Sequence, residues 1–340
     1  MKNILLTAAF YLLSFAVFSQ NADSSSYYFK KGMEEKEARR FALAEKNFSK
    51  SIAFRQDYVE AYVENGKVNL AMRKIYDAQK NFEKAYELAP SNPELIKEMA
   101  ELYFNNRQFQ KAMEFAQKCN TCPDVDRIFG MCYYQTEDYG KAQTYLQKAV
   151  AKNDKDAESA YTLGRTYLEL ENEKAAISQY QNAITLDPSR NSWMYELGMI
   201  YYSQSDYKNA LKYFDMAANA GYNKSNDFNE NYGFAQIYSG DAANGAKTLN
   251  EVLIKKPNNT ELLNNIANAM YETKRYDDAL LFFSKLIELN PKDASSLFMA
   301  GMVFQKKGEK EKGQKICDKA IEMDPSLAKN RQKKDIPMGL

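Results

Sequence analysis

Four cysteines, 45 carboxylates and no histidine set the limits of the chemistry that this 340-residue chain can do. Without imidazole there is no Ser-His-Asp arrangement, no histidine zinc site and no histidine pH switch. Cys119-Asn120-Thr121-Cys122 is a CxxC, and Cys132 follows ten residues later. Three thiols without a histidine fall short of the four ligands of a structural zinc site, and no βαβ pattern surrounds the motif to suggest a thioredoxin-like role. Three readings stay open: a structural disulfide between Cys119 and Cys122, one between Cys122 and Cys132, or Cys119 as a small core residue. Cys317 reads as a buried thiol. Gly308-Glu309-Lys310-Glu311-Lys312-Gly313 has the glycine spacing of a phosphate loop, but Gln314-Lys315-Ile316 follows where Gly-Lys-Ser/Thr is needed. Asp154-Lys155-Asp156 supplies too few oxygens for calcium. The other carboxylates fall on solvated helix faces. The chain is therefore expected to be no enzyme and to need no cofactor or metal.

Composition narrows the partners. Lys plus Arg number 46 against 45 Asp plus Glu, so the basic excess of a nucleic-acid binder is missing. Apolar residues make up 45%, enough to bury a core, and 8 prolines against 25 tyrosines and 19 phenylalanines suit helices. The N-terminus is a separate object. Lys2 precedes an apolar run from Ile4 to Phe18, interrupted by Thr7 and Ser14. Residues 1–20 read as a signal peptide cleaved after Ser19 or Gln20, the alternative being an uncleaved anchor. The run is short of the ~20 residues of a spanning helix, and no other segment is apolar enough to cross a membrane. No cysteine near the cleavage region offers lipid attachment. The chain is expected to be exported, to a bacterial periplasm or, alternatively, by secretion.

The remainder repeats. Gly32 and Gly66 lie 34 residues apart, as do Gly130, Gly164 and Gly198; Gly233, Ala267 and Gly301 continue the series. Twelve residues beyond these come Ala44, Ala78, Ala142, Ala176, Ala210 and Ala279, and four further on Phe48, Phe82, Leu146, Tyr180, Phe214, Leu249 and Phe283. Pro90, Pro188, Pro257, Pro291 and Pro325 close units. This register resembles the tetratricopeptide repeat family. With the glycine at the eighth place, units run 25–58, 59–92, 93–122, 123–156, 157–190, 191–225, 226–259, 260–293 and 294–327, leaving 328–340 as a basic tail. The resemblance implies an all-α superhelical solenoid of about nine helix-turn-helix repeats. Places 8 and 20 are small where paired helices come closest, and the large residue at place 24 fills the wider part of the wedge. Stacking then makes a continuous core that no single pair could bury.

Departures from the pattern carry expectations too. Unit 3 is four residues short, with Ala100 for Gly and Ala116 for the large residue, so the junction of units 3 and 4 should be weak. Gly245 and Gly313 stand where Ala is expected, at a helix-propensity cost of up to ~1 kcal/mol each.

The resemblance also implies where a partner would sit, because first helices line the inner surface of such arrays and places 2, 5, 9, 12 and 13 face it. Those places hold Arg127, Met131 and Tyr134 in unit 4, Tyr161 and Arg165 in unit 5, Tyr195, Met199 and Tyr202 in unit 6, Phe234 in unit 7, and Asn264 and Asn268 in unit 8. Tyr and Arg are favoured binding hot spots and Met adapts to irregular partners. For Tyr134 and Tyr202, packing between neighbouring first helices is the competing reading. The carboxylate clamp of certain co-chaperones in the family is not reproduced: Met131 and Thr162 stand where it needs Asn. The expectation is a scaffold holding a peptide or helix of a partner protein. Alternatives are a structural or self-associating subunit of an envelope complex and, least favoured, an enzyme or saccharide-binding module.

Overall fold

A computed structural model describes residues 22–119, 122 and 124–329, so the expected leader and residues 330–340 of the tail lie outside the described part. Within it the chain is an α-solenoid built from antiparallel helix pairs, with 18 α-helices among the described residues. First and second helices alternate: α1 (22–37) with α2 (Phe41–Phe54), α3 (Val59–Ala71) with α4 (Ile75–Leu88), α5 (Pro93–Asn105) with α6 (Phe109–Gln117), α7 (Val125–Gln135) with α8 (Tyr139–Lys152), and α9 (Ala157–Glu169) with α10 (Glu173–Leu186). The series continues with α11 (Asn191–Ser203) and α12 (Tyr207–Asn219), α13 (Asn226–Tyr238) and α14 (Ala242–Lys255), α15 (Thr260–Glu272) and α16 (Tyr276–Leu289), then α17 (Ala294–Lys306) and α18 (Lys310–Met323). A 3-10 turn, Pro325–Leu327, ends the series.

One local device turns every first helix into its second. The residue at place 15 is left-handed in all of them: Arg39, Arg73, Arg107, Glu137, Glu171, Ser205 and Lys274, with glycine only at Gly240 and Gly308. The next backbone N–H then reaches back over five residues to close the helix end, as Lys74 does to the Asn69 carbonyl (2.8 Å) and Asn172 to that of Tyr167 (2.8 Å). This closure satisfies carbonyls that a helix end leaves open. It tolerates non-glycine residues despite the left-handed backbone because packing on both flanks fixes the turn. Second helices often start at a capping side chain; Asp138 accepts from the Lys141 N–H (3.2 Å) and Asp206 from that of Asn209 (3.2 Å).

The core explains the small residues. A Cβ added to Gly66 would lie 2.6 Å from the Phe82 ring, and one on Gly198 2.6 Å from Phe214. The residue at place 24 therefore sits on the glycine itself, rather than in a wider part of the wedge. Phe48, Phe82, Leu146, Phe214, Leu249 and Phe283 are all fully buried there, each contributing about 1.5–3 kcal/mol of apolar transfer. Gly245 and Gly313 are not defects. Their missing Cβ atoms would meet the carbonyl oxygens of Gly233 at 2.6 Å and Gly301 at 2.5 Å, so each double-glycine pair packs backbone to backbone. In unit 3 the two departures move volume from one helix to the other: Ala100 and Ala116 are both buried in one cluster with Leu95, Met99 and Tyr103.

Contacts divide the described residues into two compact bodies that part between Gln179 and Tyr180, inside α10. The first has its main core on α3 to α7, around Phe82, Leu95, Met99, Leu102 and Ile128. The second has its main core on α13 to α17, around Leu249, Leu262, Ile266, Met270, Phe282 and Phe283.

The cysteines resolve in one direction. Cys119 bonds to Cys122, Cα atoms 5.5 Å apart. The pairing of Cys122 with Cys132 does not form, because Cys132 points into the core of α5 to α7, where burial pushes its thiol up to about 12. The disulfide closes the chain just beyond α6, the shortest of the α-helices with nine residues. Cys317 is a buried thiol whose sulfur a Cβ on Gly301 would meet at 2.6 Å.

Candidate peptide-binding groove

In the first body the first helices are tied to one another by a run of ion pairs. Lys36 of α1 bonds Glu64 of α3; Lys67 of α3 reaches Glu94 (2.6 Å) and Glu98 (3.3 Å) of α5; Lys97 of α5 bonds Asp124 at the start of α7. The run ends at Arg127 of α7, whose Nε lies 3.3 Å from Asp156. Asp156 in turn caps α9, accepting from the Ser159 N–H (3.1 Å) and hydroxyl (2.6 Å). Exposed pairs of this kind are individually worth little, about 0–1 kcal/mol, but together they fix how the first helices sit side by side.

Where the run ends, the row opens into a cavity of about 390 Å³ on α5, α7 and α9. Met131, buried to 6% exposure, forms its floor, with the Thr162 hydroxyl 3.3 Å from its sulfur. Tyr134, Tyr161, Arg127 and Arg165 form the walls. The Arg165 guanidinium stands 5.3 Å from the Tyr134 ring centre and 5.8 Å from that of Tyr161, a cation–aromatic sandwich that keeps its charge at the cavity mouth. Phe104, Asn105, Gln135 and Glu158 complete the lining. These four were missed although the same places generate them: 12 and 13 of unit 3 give Phe104 and Asn105, 13 of unit 4 gives Gln135 and 2 of unit 5 gives Glu158. Beside the cavity, at place 9 of α5, burial raises the Glu101 carboxyl above its ordinary range, partly offset by Lys97 and Arg127.

So five residues singled out in the sequence, Arg127, Met131, Tyr134, Tyr161 and Arg165, come together on one cavity. Two corrections apply to them. Met131 is floor rather than exposed contact, and Arg127 is already engaged by Asp156.

The candidates of the second body fare differently. Tyr195 stacks on Tyr222 (4.6 Å) and touches Phe214 (5.4 Å) and Phe228 (5.6 Å), and its hydroxyl accepts from the Asn231 amide (2.8 Å). Met199 packs on the same cluster. Tyr202 meets Tyr207 edge-on at 5.4 Å, and burial raises its phenol. Phe234 is half-buried against the core of the second body. These four serve packing. Asn264 is exposed, and Asn268 spends its amide on the Asn264 carbonyl (2.9 Å) within α15.

Tetratricopeptide repeat models match residues 130–191, 161–225, 236–301 and 294–327. The chain belongs to the tetratricopeptide repeat family. Its relatives are diverse. It is 25% identical over 134 residues to the anaphase-promoting complex subunit CDC16 of Saccharomyces cerevisiae, covering 36% of this chain and 16% of that protein. It is 25% identical over 229 residues to the repeat-containing protein YpiA of Bacillus subtilis, covering 62% of this chain and 52% of that one. The chain thus spans about half or less of the length of these relatives. Among solved structures, PilW, a type IV pilus biogenesis factor, superposes with a TM-score of 0.53 at 16% identity, over 59% of this chain and 95% of that one, which is a likeness of fold. The family's repeats are protein-interaction scaffolds. Among the described residues no helix is long and apolar enough to cross a membrane.

Proposed function

We propose that this protein is an exported, non-catalytic scaffold that holds a peptide segment or helix of another protein against α5, α7 and α9. The observation that carries the reading is the convergence of Arg127, Tyr134, Tyr161 and Arg165 on one cavity. Its chemistry suits a polypeptide. The tyrosines offer large contact area at low entropy cost, the amides of Asn105 and Gln135 can pair with a backbone, and Arg165 favours a carboxylate or carbonyl. Export is supported by the basic and apolar N-terminal sequence and by the Cys119–Cys122 bond, a linkage suited to oxidising compartments; a bacterial periplasm is the compartment this reading favours. Replacing Tyr161 and Arg165 together by Ala is expected to abolish capture of the native partner in an affinity pull-down from the host, with far-ultraviolet dichroism unchanged. Undiminished capture by a folded variant would contradict the groove.

A further inference from the structure

A second cavity, of about 650 Å³, lies in the first body between the second helices α2 and α4, with α3 as its floor. The repeat pattern shows why it exists. In units 3, 4 and 6 places 11 and 23 carry rings that stack across the helix pair: Tyr103 on Phe115 (5.2 Å), Tyr133 on Tyr145 (5.5 Å) and Tyr201 on Tyr213 (5.5 Å). In unit 2 those places hold Asn69 and Asn81, and place 7, apolar in Met99, Phe129, Leu163 and Leu197, holds Asn65. Three amides have replaced an aliphatic and aromatic filling.

The hydrogen bonds of these amides are unbalanced. Asn65 donates to the Asn81 side-chain oxygen (3.3 Å), and Asn81 donates to the Asp77 carbonyl (2.8 Å). The side-chain oxygens of Asn65 and Asn69, in residues 5% and 1% exposed, accept nothing. A buried acceptor left open is costly, so the floor calls for a donor. The surroundings say which kind. Lys84 pairs with Glu87 (2.7 Å) and Lys74, beside the lining, with Glu45 (2.8 Å), which leaves Asp77 and Glu83 against Lys80, an excess of one carboxylate, and Tyr62 adds a ring.

We propose that this cavity binds an arginine side chain of a partner polypeptide. The open acceptors lie one helical turn apart on α3, a spacing that the planar fork of a guanidinium meets with several donors at once. A lysine ammonium is a more strongly hydrated point charge that loses more on burial, and Tyr62 gives a guanidinium a face to stack on. Both oxygens are fully covered at present, so the entering group reaches them as long rim side chains part. The site is separate from the groove on α5, α7 and α9 and does not depend on it.

The test is a titration of the full chain with acetyl-Gly-Arg-Gly-amide, followed by calorimetry and by the side-chain amide resonances of Asn65 and Asn69. Lysine and citrulline versions of the peptide are the comparisons, citrulline being the neutral isostere of arginine. The arginine peptide is expected to saturate and to shift both amides, with the other two at least about tenfold weaker. Asn65→Leu with Asn69→Tyr installs the residues that unit 5 carries as Leu163 and Tyr167, so it should melt no lower than the parent chain while losing the arginine peptide. Absence of saturable binding, equal binding of the three peptides, or unchanged binding by the double variant would each overturn the proposal.

Discussion

Tyr161 and Tyr195 occupy the same place in successive units, 34 residues apart, yet one walls a cavity and the other is locked in a stack of rings. The difference is made by how the second helix of each unit ends. α10, the second helix of the unit that holds Tyr161, closes with the Asp187 N–H on the Ala183 carbonyl (2.9 Å), and Pro188 follows at the place that Tyr222 holds in unit 6. α12 instead ends through Gly221 at a φ of +85°, and the following Tyr222 N–H returns to the Ala217 carbonyl (2.9 Å). That closure adds the extra residue of unit 6 and lays Tyr222 flat on Tyr195. Whether a ring stacks on the tyrosine at this register place thus depends on a turn about 26 residues further along the sequence, not on its own place in the repeat.

The contrast can be broken from either side. The largest effect is expected from Tyr195→Ala, which removes the centre of the ring cluster. It should destabilise the second body by about 2–3 kcal/mol and leave partner capture intact. Urea unfolding followed by the fluorescence of Trp193, the single tryptophan and buried in α11, reads that body directly. Next comes Gly221→Ala. A side chain in the left-handed turn costs about 1 kcal/mol, and the Tyr195–Tyr222 stack should loosen, seen as weaker near-ultraviolet tyrosine dichroism.

The smallest effect concerns two half-buried glutamates, Glu101 beside the open cavity and Glu230 in α13. Burial raises both carboxyls; Lys97 and Arg127 oppose the rise at Glu101, while Asp227 adds to it at Glu230. A raised carboxyl binds its proton more tightly in the folded chain. Its stabilising contribution is therefore complete below the ordinary carboxylate range and lost as pH rises through the raised value. Glu101→Gln and Glu230→Gln should each raise the melting temperature slightly near neutral pH, and that gain should vanish below the ordinary range. Melting curves across pH 4–8 check the sign.

Much of this was legible in the residues. The 34-residue register of Gly130, Gly164 and Gly198 with Leu146, Tyr180 and Phe214 required stacked helix pairs, and the same register placed Arg127, Tyr161 and Arg165 on one row. What escaped depends on contacts between places that the repeat does not link. Gly245 and Gly313 looked like lapses in helix propensity because propensity is local, whereas the approach of the Gly233 and Gly301 backbones is not. Tyr195 looked available because its place says nothing about Tyr222. Asn65 and Asn69 drew no notice among the many polar residues, since only burial reveals that their oxygens lack donors.

The most direct test places a photo-reactive benzoylphenylalanine at position 104, where Phe104 already presents a ring to the cavity, or, separately, at position 202, the same register place in the second body. Irradiation in the native host should yield a covalent partner adduct from position 104 and none from position 202. Adducts from position 202 with none from position 104 would contradict the account.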